Sequence, residues 1–238
     1  DHGIWDGLLQ RHVRPIRGGV ATQVDYAGMA RERALLKGYL DALAAVPEAD
    51  FLRWPKPERL AFLINGYNAG TVELVLTAWP KLASIKDLGS LLTSPWKQRF
   101  MSLLGQTRSL DDIEQGLIRA KGGFDEPRIH LAVNCARIGC PALRPEAYTA
   151  ARLEAQLADA TRGFLADRTR NRAAAGALEV SSIFKWYGDD FVPVGGLRTF
   201  LASQGTALGL TDAQRAAVVD GSLKIVFLDY DWRLNGMP

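Results

Sequence analysis

The chain has 238 residues, and 29 Lys and Arg residues against 26 Asp and Glu residues give it a formal charge of +3. So small a net charge argues against a dedicated nucleic-acid-binding protein, and no nucleic-acid partner is expected. Hydrophobic residues make up 47% of the chain and charged residues 23%, which excludes disordered and collagen-like classes and permits one domain over residues 1–238.

The most apolar stretch, residues 60–72, is shorter than the roughly 20 residues that a membrane-spanning helix needs, and we predict no integral membrane segment. It also contains Asn65 and Asn68. The sequence begins at Asp1 without Met, which fits removal of an export signal as well as an artificial start.

Apolar residues recur at helical spacing in the first third of the chain, predicting an amphipathic helix over residues 5–13 and another over 26–46. Pro55 and Pro57 precede a third segment, which ends before Pro80. Because apolar side chains occupy most of its faces, we predict that this segment is a central helix buried by the rest of the fold.

The later elements are predicted from turn residues, capping patterns and apolar runs. They are a hairpin over 101–109, a helix over 110–120 capped by Ser109 and Asp112, a strand over 128–133, a helical region from Pro141 through 153–164, and strands over 177–181 and 223–228. Strands and helices alternate without a repeated period. The predicted fold is therefore α+β, a single domain with a buried central helix and a small, mainly antiparallel sheet.

The densest chemical cluster lies in residues 128–141, which contain His130 and the protein's two cysteines, Cys135 and Cys140. A thiol becomes nucleophilic when an imidazolium, another cation or a helix N-terminus lowers its pKa. Cys140 directly precedes the helical region predicted from Pro141. Cys135 lies at the end of the predicted strand, where a bend in the backbone would bring His130 beside it.

Other interpretations of this cluster stay open. The two sulfur atoms could form a structural disulfide, pack as small apolar side chains or act as a reversible dithiol, with His130 as a hydrogen-bonded core residue. The cysteines lack the Cys-X-X-Cys spacing of redox motifs, and a zinc site lacks a recognisable fourth ligand. We therefore predict no metal and no cofactor.

Polar side chains on the predicted central helix are candidates for substrate binding. Asn65 and Asn68, three residues apart, project from neighbouring positions and could hold a substrate amide or tie loops to the core, and Tyr67 adds a phenol nearby. Glu114 could orient His130 as a carboxylate orients a catalytic imidazole, or could lie exposed on its helix.

Two aromatic segments, residues 183–191 and 229–232, could line a pocket or form edges of the core. Lys185, Trp186 and Tyr187 are the substrate-binding candidates in the first segment. The sequence contains no phosphate-loop pattern, Gly-x-Ser-x-Gly elbow or His-Glu-x-x-His site, which lowers the odds of nucleotide, serine-hydrolase and zinc-protease chemistry.

Read together, several segments make the chain resemble domain-of-unknown-function family 547, with likeness from residues 1–5 to residues 230–235. The segments are 62–69 (FLINGYNA), 110–114 (LDDIE), 129–135 (IHLAVNC), 139–143 (GCPAL) and 183–187 (IFKWY). The resemblance implies a periplasmic or secreted protein, since bacterial relatives usually look exported. The family commonly has His where this chain has Gln115 and Trp where it has Leu63. A papain-like fold is an analogy only.

Two functional hypotheses follow. The first is a thiol-dependent hydrolase or acyltransferase acting on a small amide, peptide or thiol-containing substrate. In it Cys140 or Cys135 attacks a carbonyl, His130 transfers the proton, and Glu114 or Asn65 orients the imidazole. The alternative is a noncatalytic exported module that binds a small molecule or peptide and is stabilised by a Cys135–Cys140 disulfide.

Overall fold

The computed structural model of the protein describes residues 1–89, 94–120 and 122–237. The α-helices in these ranges are α1 (Gly3–His12), α2 (Tyr26–Arg31), α3 (Arg33–Ala44), α4 (Glu48–Arg53), α5 (Lys56–Leu76), α6 (Leu110–Ile113), α7 (Leu153–Ala166), α8 (Ile183–Trp186), α9 (Gly196–Ser203), α10 (Gly205–Leu208) and α11 (Asp212–Asp220). The strands there are β1 (Val13–Ile16), β2 (Ala21–Val24), β3 (Met101–Leu103), β4 (Gln106–Arg108), β5 (Arg172–Ala174), β6 (Ala177–Ser181) and β7 (Lys224–Leu228).

The strands form three small sheets, which confirms the predicted α+β class. Strands β1 and β2 form one antiparallel hairpin and β3 and β4 a second. In the third sheet, β6 lies in the middle, antiparallel to β5 and parallel to β7. The strands predicted at 177–181 and 223–228 are the two that pair in parallel.

Helix α5 is the predicted central helix. Pro57 lies in its first turn, where the missing N–H costs nothing, and every residue from Leu60 to Leu76 is buried. Apolar side chains on all faces explain this burial, because such a helix has no polar side to present to water. Among the described residues, no helix is long and apolar enough to cross a membrane.

Two apolar clusters make up the interior. The first surrounds α5 and includes side chains from α1, α2 and α3, and the second is built from α7, β6 and helices α8 to α11. Residues 129–133 run between them, since Ile129 and Val133 pack in the first cluster and Leu131 in the second. This placement brings His130 to the boundary between the two clusters.

The strand predicted over 128–133 is wrong, because Pro127–Leu131 forms a 3₁₀ helix. Pro127 suits its first turn, and the Glu126 carboxylate accepts a hydrogen bond from the Arg128 N–H at 3.0 Å. An apolar run this short does not distinguish a strand from a buried helical turn.

Three predicted helices have different limits in the structure. The helix predicted over 26–46 is interrupted at Glu32, whose carboxylate binds Arg11 and His12 of α1 at 2.9 and 2.6 Å. The predicted Ser109–Asp112 capping box is confirmed, but α6 gives way after Ile113 to a π turn through residue 118. No helix begins at Pro141, and α7 starts only at Leu153.

Candidate functional site

A cavity of about 540 Å³ lies where the two apolar clusters meet. Its volume is within the range of about 300–1,000 Å³ that small-molecule sites occupy. Much of its wall is aromatic, and the rings come from distant parts of the chain: Tyr67, Trp96, Trp186, Tyr187, Tyr230 and Trp232. Among the histidine, acidic and basic residues of the wall, His130, Glu114 and Arg137 are the most deeply buried.

One nitrogen of His130 is firmly held. Its Nε2 lies 2.7 Å from Oδ2 of Asp190, and Arg119 donates two hydrogen bonds to the same carboxylate, at 2.6 and 2.8 Å. These bonds from His130 and Arg119 hold the pKa of Asp190 well below its usual range. Because the ionised carboxylate can only accept, Nε2 carries the proton and donates a hydrogen bond to Asp190.

The other nitrogen, Nδ1, is buried without a hydrogen-bond partner among the described residues. Its nearest carboxylate oxygen is Oε1 of Glu114 at 3.8 Å, too far for a hydrogen bond. The imidazole stacks on Tyr187 with ring centroids 3.8 Å apart, which fixes the direction of Nδ1. Nδ1 is therefore a lone acceptor at the cavity wall in the neutral imidazole.

Glu114 begins the π turn that follows α6 and is only 6% exposed. Tyr67 and Tyr187 lie near its carboxylate. Burial is the largest cause that raises the pKa of both phenols, and the negative charge of Glu114 is the second. No Lys or Arg side chain forms an ion pair with Glu114 in the described part of the chain.

Arg137 is 6% exposed and lies between two indole rings. The guanidinium carbon is 4.0 Å from the ring centroids of both Trp96 and Trp232. Within the described ranges the guanidinium pairs with no carboxylate, and its Nε has no hydrogen-bond partner. Burial lowers the pKa of Arg137 to about 10, so the group is charged at neutral pH.

The two cysteines are joined by a disulfide bond, with their Cα atoms 6.0 Å apart. The Tyr230 hydroxyl lies 3.1 Å from each sulfur atom, and a Cβ added at Gly139 would lie 2.8 Å from the Tyr230 ring. The bridge closes a short loop that includes Arg137. It therefore limits how far that side chain can move from the cavity.

The structure gathers many of the sequence-predicted residues at this cavity, namely His130, Cys135, Glu114, Tyr67, Trp186 and Tyr187. Cys140 is buried behind the wall and bonded to Cys135. The predicted influence of a helix N-terminus on Cys140 is wrong, because residues 141–149, which follow it directly, are not helical.

Three predicted residues lie elsewhere. The Asn65 side chain donates to the Tyr148 carbonyl at 2.8 Å and accepts from the Tyr148 N–H at 2.9 Å. The Asn68 side chain bonds residues 132 and 134 in the same way. Both amides thus tie loops to α5, as the alternative interpretation proposed. Lys185 is exposed and does not line the cavity.

The predicted orientation of the imidazole is also wrong. Asp190 holds His130, whereas Glu114 lies toward the opposite nitrogen and Asn65 bonds Tyr148. Sequence reasoning assigned no role to Asp190 or Arg137. Their positions offered a hint, since Asp190 lies within the first aromatic segment and Arg137 lies between the cysteines. Nothing in the sequence singled out Trp96.

Residues 51–165 match the family model described as "Protein of unknown function, DUF547", which agrees with the family resemblance of the sequence. The matched segment contains α5, Glu114, His130, Arg137 and both cysteines. Asp190 and the aromatic residues at 186–187 and 230–232 come from beyond it. No curated protein and no solved structure matches the chain.

Proposed function

We propose that the protein binds a small organic anion in the aromatic cavity. The observation that carries this proposal is the Arg137 guanidinium, which is charged, buried and unpaired within the described ranges while lining the cavity. The cysteine bridge supports a binding module over a thiol enzyme, since a disulfide sulfur is not a thiolate nucleophile.

Electrostatics supports an anionic ligand. Removing a charge from water costs several kcal/mol unless nearby groups compensate for the lost hydration. Stacking between Trp96 and Trp232 supplies part of that compensation, of the order of 1–2 kcal/mol per ring. A carboxylate or phosphate on the ligand would supply the rest through charge-assisted hydrogen bonds. The Lys86 ammonium, 3.3 Å from the Trp232 ring centroid, adds positive charge at this end.

Calorimetric titration with indole-3-propionate, and with the uncharged indole-3-propionamide as its matched control, tests the proposal. We expect the acid to bind at least tenfold more tightly than the amide, and Arg137→Met to abolish the difference. Arg152→Met, which alters an exposed arginine outside the cavity, is the control variant and should keep the preference. Equal binding of acid and amide would contradict the proposal.

A second candidate is the thiol-dependent hydrolase, which needs the bridge reduced to two thiols by an external thiol reductant. Cys135 and His130 line the same cavity, and Nδ1 is the unpaired imidazole nitrogen. The Cys135 sulfur would attack an acyl carbon and form a C–S bond. The bond to the leaving group would break as His130 returns to that group the proton it took from the thiol, and water would then hydrolyse the thioester.

Reduced protein and p-nitrophenyl acetate test this candidate. We expect reduction to produce steady turnover that Cys135→Ala abolishes and that Cys140→Ala, the matched variant at the buried sulfur, retains. Turnover that is unchanged by both substitutions would contradict it.

We also propose that the protein works in an oxidising compartment, the periplasm or the exterior of the cell, where a disulfide persists. The bond between Cys135 and Cys140 supports this location. Native protein alkylated before reduction should show no added mass, whereas two added alkyl groups would contradict the location.

A further inference from the structure

The cavity has an acidic end as well as a basic one. Glu114 is as deeply buried as Arg137, and both line the same cavity. They do not neutralise each other, since no ion pair joins them in the described part of the chain. Neither group forms an ion pair with Lys, Arg or a carboxylate in those parts of the protein, so a ligand charge of opposite sign at each would gain electrostatic energy.

Two acceptors converge at the acidic end. Oε1 of Glu114 and Nδ1 of His130 are 3.8 Å apart, and neither is a donor when the imidazole is neutral with its proton on Nε2. A single group with several N–H donors can lie at a hydrogen-bond distance of about 2.9 Å from both atoms. An ammonium has three such donors and no acceptor, and it also supplies the missing positive charge.

The groups around this end also favour a cation. The hydroxyl groups of Tyr67 and Tyr187 lie near the Glu114 carboxylate, and their oxygen atoms can accept further hydrogen bonds from an ammonium. An uncharged hydroxyl has one O–H, so it could donate to only one of the two acceptors, and it would leave the carboxylate without a counter-charge. The acidic end thus selects for an ammonium over a neutral donor.

We infer that the ligand is a zwitterion whose carboxylate binds at Arg137 and whose ammonium binds between Glu114 and His130, as an amino acid or short peptide would. This inference rests on the proposed function, because it takes the anion site at Arg137 as given. It extends that function by naming a second charged group on the ligand and the residues that recognise it.

Calorimetric titration with L-tryptophan, indole-3-propionate and tryptamine tests the inference, because the second ligand lacks the ammonium and the third lacks the carboxylate. We expect tryptophan to bind at least tenfold more tightly than either. In Glu114→Gln the advantage over indole-3-propionate should disappear, while indole-3-propionate itself binds no more weakly than to the wild type. Asp111→Asn, at a more exposed acid of the same wall, is the matched control and should retain the advantage.

The outcomes separate the two proposals. If indole-3-propionate binds through Arg137 and tryptophan binds no more tightly, the zwitterion inference is wrong and the anion site stands. If none of the three ligands binds at millimolar concentration, or if Arg137→Met leaves binding unchanged, both are wrong. The dipeptides Gly-Trp and Trp-Gly distinguish the sources, since a site for free amino acids rejects both and a peptide site binds at least one more tightly than tryptophan.

Discussion

The buried polar groups on α5 have complete hydrogen bonds, whereas those around the cavity do not. Asn65 and Asn68 are almost completely buried, and each uses its amide to donate one hydrogen bond and accept another. At the cavity, Nδ1 of His130 and Nε of Arg137 are equally buried and have no partner in the described ranges. Burial alone therefore does not identify the site; incomplete hydrogen bonding at a cavity wall does.

This contrast has an energetic meaning. A buried amide with both bonds made stabilises the fold and leaves nothing for a ligand to use. A buried group that lacks hydrogen bonds lowers the stability of the fold. A ligand that supplies those hydrogen bonds removes this cost, which strengthens its binding and favours it over ligands that cannot supply them. The α5 amides and the cavity groups should therefore respond in opposite ways to the removal of their polar atoms.

The largest loss of stability is expected at α5. Asn68→Leu leaves the Ala132 carbonyl and the Asn134 N–H buried without partners, and it should lower the free energy of unfolding by about 3 kcal/mol. Urea denaturation measures this change. Gln10→Leu, at an exposed amide on α1, is the control and should change stability by less than about 0.5 kcal/mol. If Asn68→Leu lowered the free energy of unfolding as little as Gln10→Leu does, the hydrogen bonds of Asn68 would not stabilise the fold.

Loss of the disulfide is expected to rank next. The double variant Cys135→Ala and Cys140→Ala removes a cross-link that closes a short loop, which should cost about 2 kcal/mol of unfolding free energy. Binding of indole-3-propionate should weaken as well, because the loop containing Arg137 is less constrained. Thermal denaturation and calorimetry measure the two effects. Unchanged binding with lowered stability would assign the bridge a purely structural role.

His130 combines both kinds of group. Its Nε2 has a hydrogen-bond partner in Asp190, whereas its Nδ1 has none in the described ranges. Because the pKa of Asp190 is lowered in the folded state, its contribution to stability is present above the unfolded value of about 4 and is lost as the pH falls through the folded value. Asp190→Asn should therefore cost about 1–2 kcal/mol at pH 7 and clearly less near pH 2.

Urea denaturation at both pH values measures the difference between wild type and Asp190→Asn. Asp189→Asn, at the exposed neighbouring residue, is the matched control and should show no such dependence. A cost that is the same at pH 2 as at pH 7 would show that the ionised carboxylate is not what stabilises this corner of the fold.

The sequence predicted α5 because its apolar residues cover every face, a pattern that depends only on neighbouring positions. It also predicted that His130 and Cys135 share a site, because they lie close together in the chain. It did not predict that Asp190, 60 residues further on, binds His130, nor that Trp96 and Trp232 enclose Arg137. Those contacts depend on how the two apolar clusters pack, which local spacing does not encode. The strand predicted at His130 was wrong for a different, local reason, since Pro127 and Glu126 favour a 3₁₀ turn within an apolar run.

The smallest change of stability is expected at Arg137, where the comparison with α5 is most direct. Arg137→Met removes a buried charge that has no carboxylate partner in the described ranges and keeps apolar volume between Trp96 and Trp232. The lost cation–π attraction and the removed desolvation penalty oppose each other, so the unfolding free energy should stay within about 1 kcal/mol of wild type. Arg119→Met, which strips two hydrogen bonds from Asp190, is the matched arginine variant and should cost about 2 kcal/mol. If Arg137→Met were as destabilising as Arg119→Met, Arg137 would belong with the structural amides of α5 and not with the binding site.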